Sequence, residues 1–184
     1  MTQRDQWRAE SMHRIGEAVK RARKRAGLSQ QDLADRIGST RNAIQNLESR
    51  SGRRTNITVF DVVEIAAAVE VSPLQLLYPN LPVGEVEYVP GRVMPAVDAA
   101  LTFSGERSLS GPPGRDVTVM QLARRWRELS ELVPRLEREL EASPLSADEH
   151  SALLGSRSKA AQLDHAREDL SGIEAALTDL IGEW

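Results

Sequence analysis

From Arg14 to Ala26 the chain reads RIGEAVKRARKRA, and Ile15, Ala18, Val19 and Ala22 fall at the three- and four-residue spacing of one helix face. Gly27 is a natural stop, because glycine accepts the left-handed conformation that ends many helices. Ser29 is placed to cap a second, short helix, QQDLADRI, whose Leu33, Ala34 and Ile37 form a single apolar stripe ending at Gly38. Thr40 can cap a third, RNAIQNLES, with Ile44 and Leu47 as its apolar pair. Thr58 opens VFDVVEIAAAVE, which is apolar around most of its circumference, as suits a helix at the centre of a core. Ser72 followed by Pro73 opens a fifth, PLQLLY. Five short helices predict an all-α domain over residues 11–80.

The pattern then breaks. Residues 79–117 hold six of the nine prolines together with several glycines, which predicts an irregular connector over 81–117. Within it EVEYV reads as a short strand, PAVDAALTF as a short helix, and SGERSLSGPPGRD as a flexible linker. Beyond it Val119, Leu122, Trp126, Leu129, Val133, Leu136 and Leu140 alternate at spacings of three and four, the seam of a coiled coil or helical hairpin. Pro134 is expected to kink or split that helix. After the turn signal ASPLSADE, a second seam runs through Leu163, Ala166, Leu170, Ile173, Leu177, Leu180 and Trp184. Residues 118–184 are therefore expected to form a C-terminal helical association region, with the two stripes paired within one chain or between two chains of a homodimer.

Charge adds a polarity to this layout. Residues 1–56 carry 13 Lys and Arg against 6 Asp and Glu, and the remainder carries 11 against 21, so a net −3 is the sum of +7 and −10. A basic head suggests a polyanionic partner, and an acidic body is repelled by it. The absence of cysteine excludes disulfides, thiolate metal sites and a cysteine nucleophile. A polar start, MTQRDQWRAESMHR, and the lack of any long apolar run lead to the expectation of a cytoplasmic protein without a membrane segment.

The third helix carries the most specific chemistry. At 100° per residue, positions 41, 42, 45 and 46 fall within about 140° of arc, with 43, 44 and 47 opposite. Ala43, Ile44 and Leu47 can then be buried while Arg41, Asn42, Gln45 and Asn46 face outwards together. Arg can hold guanine O6 and N7 as a fork, and Asn or Gln can hold adenine N6 and N7 in the same way. A helix, a turn on Gly38 and a second helix polar near its start make the helix-turn-helix arrangement, which places the second helix in a DNA major groove.

Residues 14–78 resemble the DNA-binding domain of the lambdoid phage repressor and Cro family, the xenobiotic-response-element regulators. GLSQQDLADRIG, STRNAIQNLE and ITVFDVVEIAAAVEVSPLQLL carry the resemblance. It implies a five-helix repressor-like fold, major-groove insertion of the third helix, and base reading by Arg41, Asn42 and Asn46 with Gln45 beside them. It also implies backbone contacts: Gln30 at a phosphate while bracing a side chain of the recognition helix, Ser39 and Thr40 at the helix start, and the loop arginines Arg50, Arg53 and Arg54. Arg23 and Glu48 match a family pair that ties the first helix to the end of the third. The segment VEYVPGRVMPAVDAALTFSGE is similar to an extension found after this domain in actinobacterial regulators.

The C-terminal half departs from the self-cleaving phage repressors, whose β-rich domain carries a Ser–Lys dyad. Here the only lysine beyond the basic head is Lys159, in a segment predicted helical. His13, His150 and His165 are dispersed, and His165 with Asp169 at i+4 reads as a surface ion pair rather than a metal site. No phosphate loop or nucleophile elbow is present, so no catalytic residue, metal or cofactor is expected. The reading is a sequence-specific transcription regulator of double-stranded DNA, of phage or prophage repressor type. The alternative is an antitoxin-type interaction module that binds a partner through its acidic C-terminal helices.

Overall fold

The computed structural model describes residues 2–49, 56–142 and 158–182, which divide into two compact units at Phe103 and Ser104. The first unit opens with α1, Gln3–Arg25, which begins well before Arg14. Its early start has a local cause. Thr2 and Asp5 form a capping box, with the Thr2 hydroxyl accepting from the Asp5 amide at 3.2 Å and the Asp5 carboxylate accepting from the Thr2 amide at 2.9 Å. These two bonds satisfy N–H groups that would otherwise be orphaned at the helix start. Farther along, Trp7 Nε1 donates to the Glu87 carbonyl at 2.9 Å, which anchors a segment that carries no apolar stripe of its own.

Three helices follow: α2, Gln30–Arg36; α3, Arg41–Glu48; and α4, Val59–Ala68; then α5, Pro73–Leu77. Ser29 with Asp32 and Thr58 with Asp61 repeat the capping box, while Thr40 and Ser72 cap through the hydroxyl. Gly27 and Gly38 stand at φ 72° and 61° just after α1 and α2. That conformation lets the amides of Leu28 and Ser39 donate back to Arg23 and Ala34 at 3.0 and 2.8 Å. The shared core is built from Val19, Leu33, Ala34, Ile44, Ile65, Ala66 and Leu76.

Two expectations are corrected in this unit. α4 is not central on all sides: it buries Val62, Ile65 and Ala66 but leaves Val59, Phe60 and Val63 at 68, 80 and 49% exposure. One stripe of a ten-residue helix is enough to close this core. Residues 81–103 are likewise not an irregular connector but belong to the first unit. Strands β1, Glu85–Val89, and β2, Arg92–Pro95, pair antiparallel with Val86 opposite Met94 and Glu87 opposite Val93. Helix α6, Ala96–Phe103, follows directly. Val86, Ala96, Ala99 and Ala100 make a second small core with Tyr78, whose ring lies 6.4 Å from Tyr88 and 6.1 Å from Phe103. Two of the six prolines that suggested a connector sit where a hairpin tolerates them, Pro90 in the turn and Pro95 at the strand end.

The second unit packs α7, Arg115–Ala142, against α8, Lys159–Ile181. Leu129, Val133 and Leu136 meet Leu163 and Ala166. Cross-helix pairs at Arg125–Asp169, Arg167–Glu137 and Lys159–Glu139, at 3.5, 2.6 and 3.0 Å, run in opposite sequence order along the two helices and make them antiparallel. Pro134 does not split α7. It removes one backbone donor on an exposed face, and the buried residues Val133 and Leu136 on either side hold both halves to the same seam. The start of the expected linker is also held, because Arg124 pairs with the Glu106 carboxylate at 3.0 Å. Trp184, His150 and most of the turn ASPLSADE lie outside the described residues.

Candidate nucleic-acid interface

Helix α3 is amphipathic in the sense the wheel predicted. Ile44 is fully buried and Leu47 4% exposed, whereas Arg41, Asn42, Gln45 and Asn46 are all exposed. Ala43 is half-buried at the margin. Thr40 Oγ1 accepts from the Ala43 amide at 3.2 Å, fixing the first turn on which Arg41 and Asn42 stand. Ser39 is half-buried, its amide spent on the Ala34 carbonyl, so the chain turns sharply between α2 and α3. α3 therefore presents one cationic and three amide side chains on a single exposed face, Arg41 and Asn42 in its first turn and Gln45 and Asn46 in the next. No acidic residue lies in that turn.

What holds α3 in place is a buried charge cluster at its far end. Glu48, 5% exposed, receives Arg23 Nε at 2.6 Å and Arg23 Nη2 at 2.8 Å, a bidentate fork. Gln30 Nε2 donates to the same carboxylate at 2.9 Å, and Arg23 Nη1 donates to the Leu28 carbonyl at 2.6 Å. One carboxylate thus ties α1, α2 and α3 together. Hydrogen bonding to Glu48 raises the Arg23 pKa further, against the opposing effect of its burial. Gln30 braces Glu48 with one amide N–H, leaving its second N–H as a donor.

Sequence reasoning missed Gly16. It is buried in α1, and a Cβ there would overlap the Leu47 carbonyl oxygen of α3. The signal was available: glycine in a helix interior costs about 1 kcal/mol relative to alanine, so its presence points to a close approach of backbones. Gly16 and Arg23 lie about 20° apart on the α1 wheel and define the side that faces α3.

Arg50, Arg53 and Arg54 lie outside the described residues. His165 stands 3.8 Å from Asp169 on the exposed surface of α8, and the described residues contain no group of acidic and histidine side chains arranged to hold a metal ion. No helix among the described residues is long and apolar enough to cross a membrane.

The sequence profile of the helix-turn-helix family matches residues 19–76, from the second half of α1 through α5. This segment is a helix-turn-helix domain, the module with which transcription regulators bind double-stranded DNA. Neither the curated proteins nor the solved structures compared with the chain give a match.

Proposed function

We propose that the protein is a sequence-specific transcription regulator, a repressor of phage or prophage type, that inserts α3 into the major groove of its operator. The observation that carries the reading is the exposed set Arg41, Asn42, Gln45 and Asn46 on a helix whose other face is locked by Ile44, Leu47 and the Arg23–Glu48–Gln30 cluster. Arg41, Asn42 and Asn46 read base edges, with Gln45 beside them. Gln30, Ser39, Thr40 and the loop arginines Arg50, Arg53 and Arg54 position the domain on phosphates. Rigid anchoring matters here, because bidentate readout tolerates little displacement of the side chains that perform it.

The α7–α8 unit supplies self-association in this reading. Met120 and Leu132 at 37% and Ile181 at 47% exposure leave apolar surface that a second copy can cover. A homodimer through residues 118–184 would present two α3 helices to two half-sites and raise affinity through effective concentration.

Selection of bound duplexes from a random library with the full chain, followed by anisotropy titration of the winner, tests the proposal. Arg41→Ala or Asn46→Ala should cost about 1–3 kcal/mol on the selected site and relax preference at one base pair. Arg53→Ala should weaken selected and random DNA alike and lower the salt slope by about one unit. A library that yields no enriched sequence, or equal losses for Arg41→Ala on both DNAs, overturns base reading by α3.

A further inference from the structure

The outer face of α4 holds three large apolar side chains in water. Val59, Phe60 and Val63 are 68, 80 and 49% exposed, and with exposed Ala67 they fall within about 100° of arc on the helix wheel. The Thr58–Asp61 cap fixes the first turn of α4, so burying Val62 and Ile65 in the core forces these side chains outward. Tyr88 and Phe103 both meet the Tyr78 ring, whereas Phe60 has no ring or hydrogen-bond partner among the described residues.

One turn farther along the same face, Arg36, Ile37, Glu64, Ala67 and Ala68 line a shallow depression between the end of α2 and α4. Glu64 and Ala67 follow Phe60 by four and seven residues and so continue its stripe. Arg36 Nη1 donates to the Ala68 carbonyl at 2.9 Å, which holds the guanidinium at the rim with Nε and Nη2 still able to donate. Glu64 is exposed and has no hydrogen-bond or ion-pair partner among the described residues, although Arg36 lines the same depression. An exposed ring, a depression within two turns of it and one charge of each sign make a self-complementary surface. With two α4 helices antiparallel across a two-fold axis beside Val63, each Phe60 covers the other copy's depression, and each Arg36 faces the other copy's Glu64.

We propose that this face of α4 docks a second copy of the chain, through Val59, Phe60 and Val63 with reciprocal Arg36–Glu64 pairs. At ordinary side-chain sizes the three apolar residues expose roughly 350 Å² per copy. Two copies with their rims then bury about 1,000 Å², the lower limit for a specific interface and the size of a transient contact. The surface is distinct from both α3 and residues 118–184. Its role on an operator rests on the proposed function: two domains already held at neighbouring half-sites meet at an effective concentration of about 1 mM, at which a weak contact forms and fixes their spacing.

Sedimentation equilibrium of the full chain without DNA, from nanomolar to hundreds of micromolar, tests the contact independently of base reading by α3. The native chain is expected to self-associate. Phe60→Ser/Val63→Ser, altered only at exposed positions, should keep its amide NMR spectrum outside α4 and associate at least about tenfold more weakly. Arg36→Glu and Glu64→Arg should each weaken association at least about threefold, because each sets like charges together at both pairs. An equimolar mixture of the two should return to within about twofold of the native affinity, since one copy then carries two acidic and the other two basic partners, a rescue that a change of fold within either chain cannot give. A native chain that stays monomeric, leaving the face to a different protein, overturns the proposal. So does unchanged association of Phe60→Ser/Val63→Ser, which assigns all self-association to other residues, or a mixture no tighter than its components.

Discussion

Replacing Glu48 by Gln keeps the shape of the side chain and removes the charge that Arg23 was buried to meet. In the native cluster both carboxylate oxygens accept: Oε1 from Arg23 Nε, and Oε2 from Arg23 Nη2 and Gln30 Nε2. A glutamine offers one acceptor and one NH2, so whichever way it turns, at least one donor of Arg23 faces another donor. Arg23, 7% exposed, then keeps the Leu28 carbonyl and at most the single amide oxygen of the glutamine as acceptors. Breaking a buried pair by removing one partner costs about 3–5 kcal/mol, and the retained oxygen places Glu48→Gln near about 3 kcal/mol. That is a large share of the ~5–15 kcal/mol that stabilises a typical domain. The companion double variant Arg23→Met/Glu48→Met removes both charges at similar volume, and should be more stable than either single variant, since the desolvation of two ions no longer has to be offset. Urea denaturation of the native chain, Arg23→Met, Glu48→Met and the double variant, followed at amide resonances of α1–α5 to isolate the first unit, gives the four corners of a double-mutant cycle. A coupling energy of at least about 2 kcal/mol is expected. A loss below about 1 kcal/mol for Glu48→Gln, or additive single losses, would refute the claim that this pair anchors α3.

Gly16→Ala should destabilise the first unit by about 1–3 kcal/mol despite better helix propensity, because the methyl group pushes α1 off the Leu47 carbonyl; a neutral or stabilising result in the same urea assay would contradict the close approach. Glu70 holds φ 56° after α4, where the Val71 amide donates to the Ala66 carbonyl at 3.0 Å, so Glu70→Gly should stabilise by about 0.5–1 kcal/mol, and a loss of stability would count against strain at that position. A fragment of residues 1–103 should exceed one of residues 1–79 by at least about 3 kcal/mol, since the cut at 79 bares Tyr78, Leu74 and Leu77 and frees the Trp7 indole; equal stability by thermal denaturation would show that the hairpin and α6 are dispensable.

Local chemistry made much of this protein legible in its sequence. Ser29, Thr40, Thr58 and Ser72 were readable as caps because capping is settled within three residues, by a hydroxyl and the next free amide. The outward set on α3 was readable because Ile44 and Leu47 can be buried only on one side of an eight-residue helix. EVEYV was readable as a strand, but its pairing partner Arg92–Pro95 was not, since a four-residue strand that ends in proline gives almost no periodicity. The tertiary structure decided that residues 81–103 join the first unit, because their small core of alanines is completed by Tyr78 at the end of the helical domain and tied down by Trp7, 80 residues away from Glu87 in sequence. It decided the same way on Pro134, where packing on both sides outweighs a local preference to break. The mating of Gly16 with Leu47 likewise depends on where two helices cross. Caps and stripes are properties of one short segment, whereas cores, close approaches and cavities exist only once segments far apart in the chain are brought together.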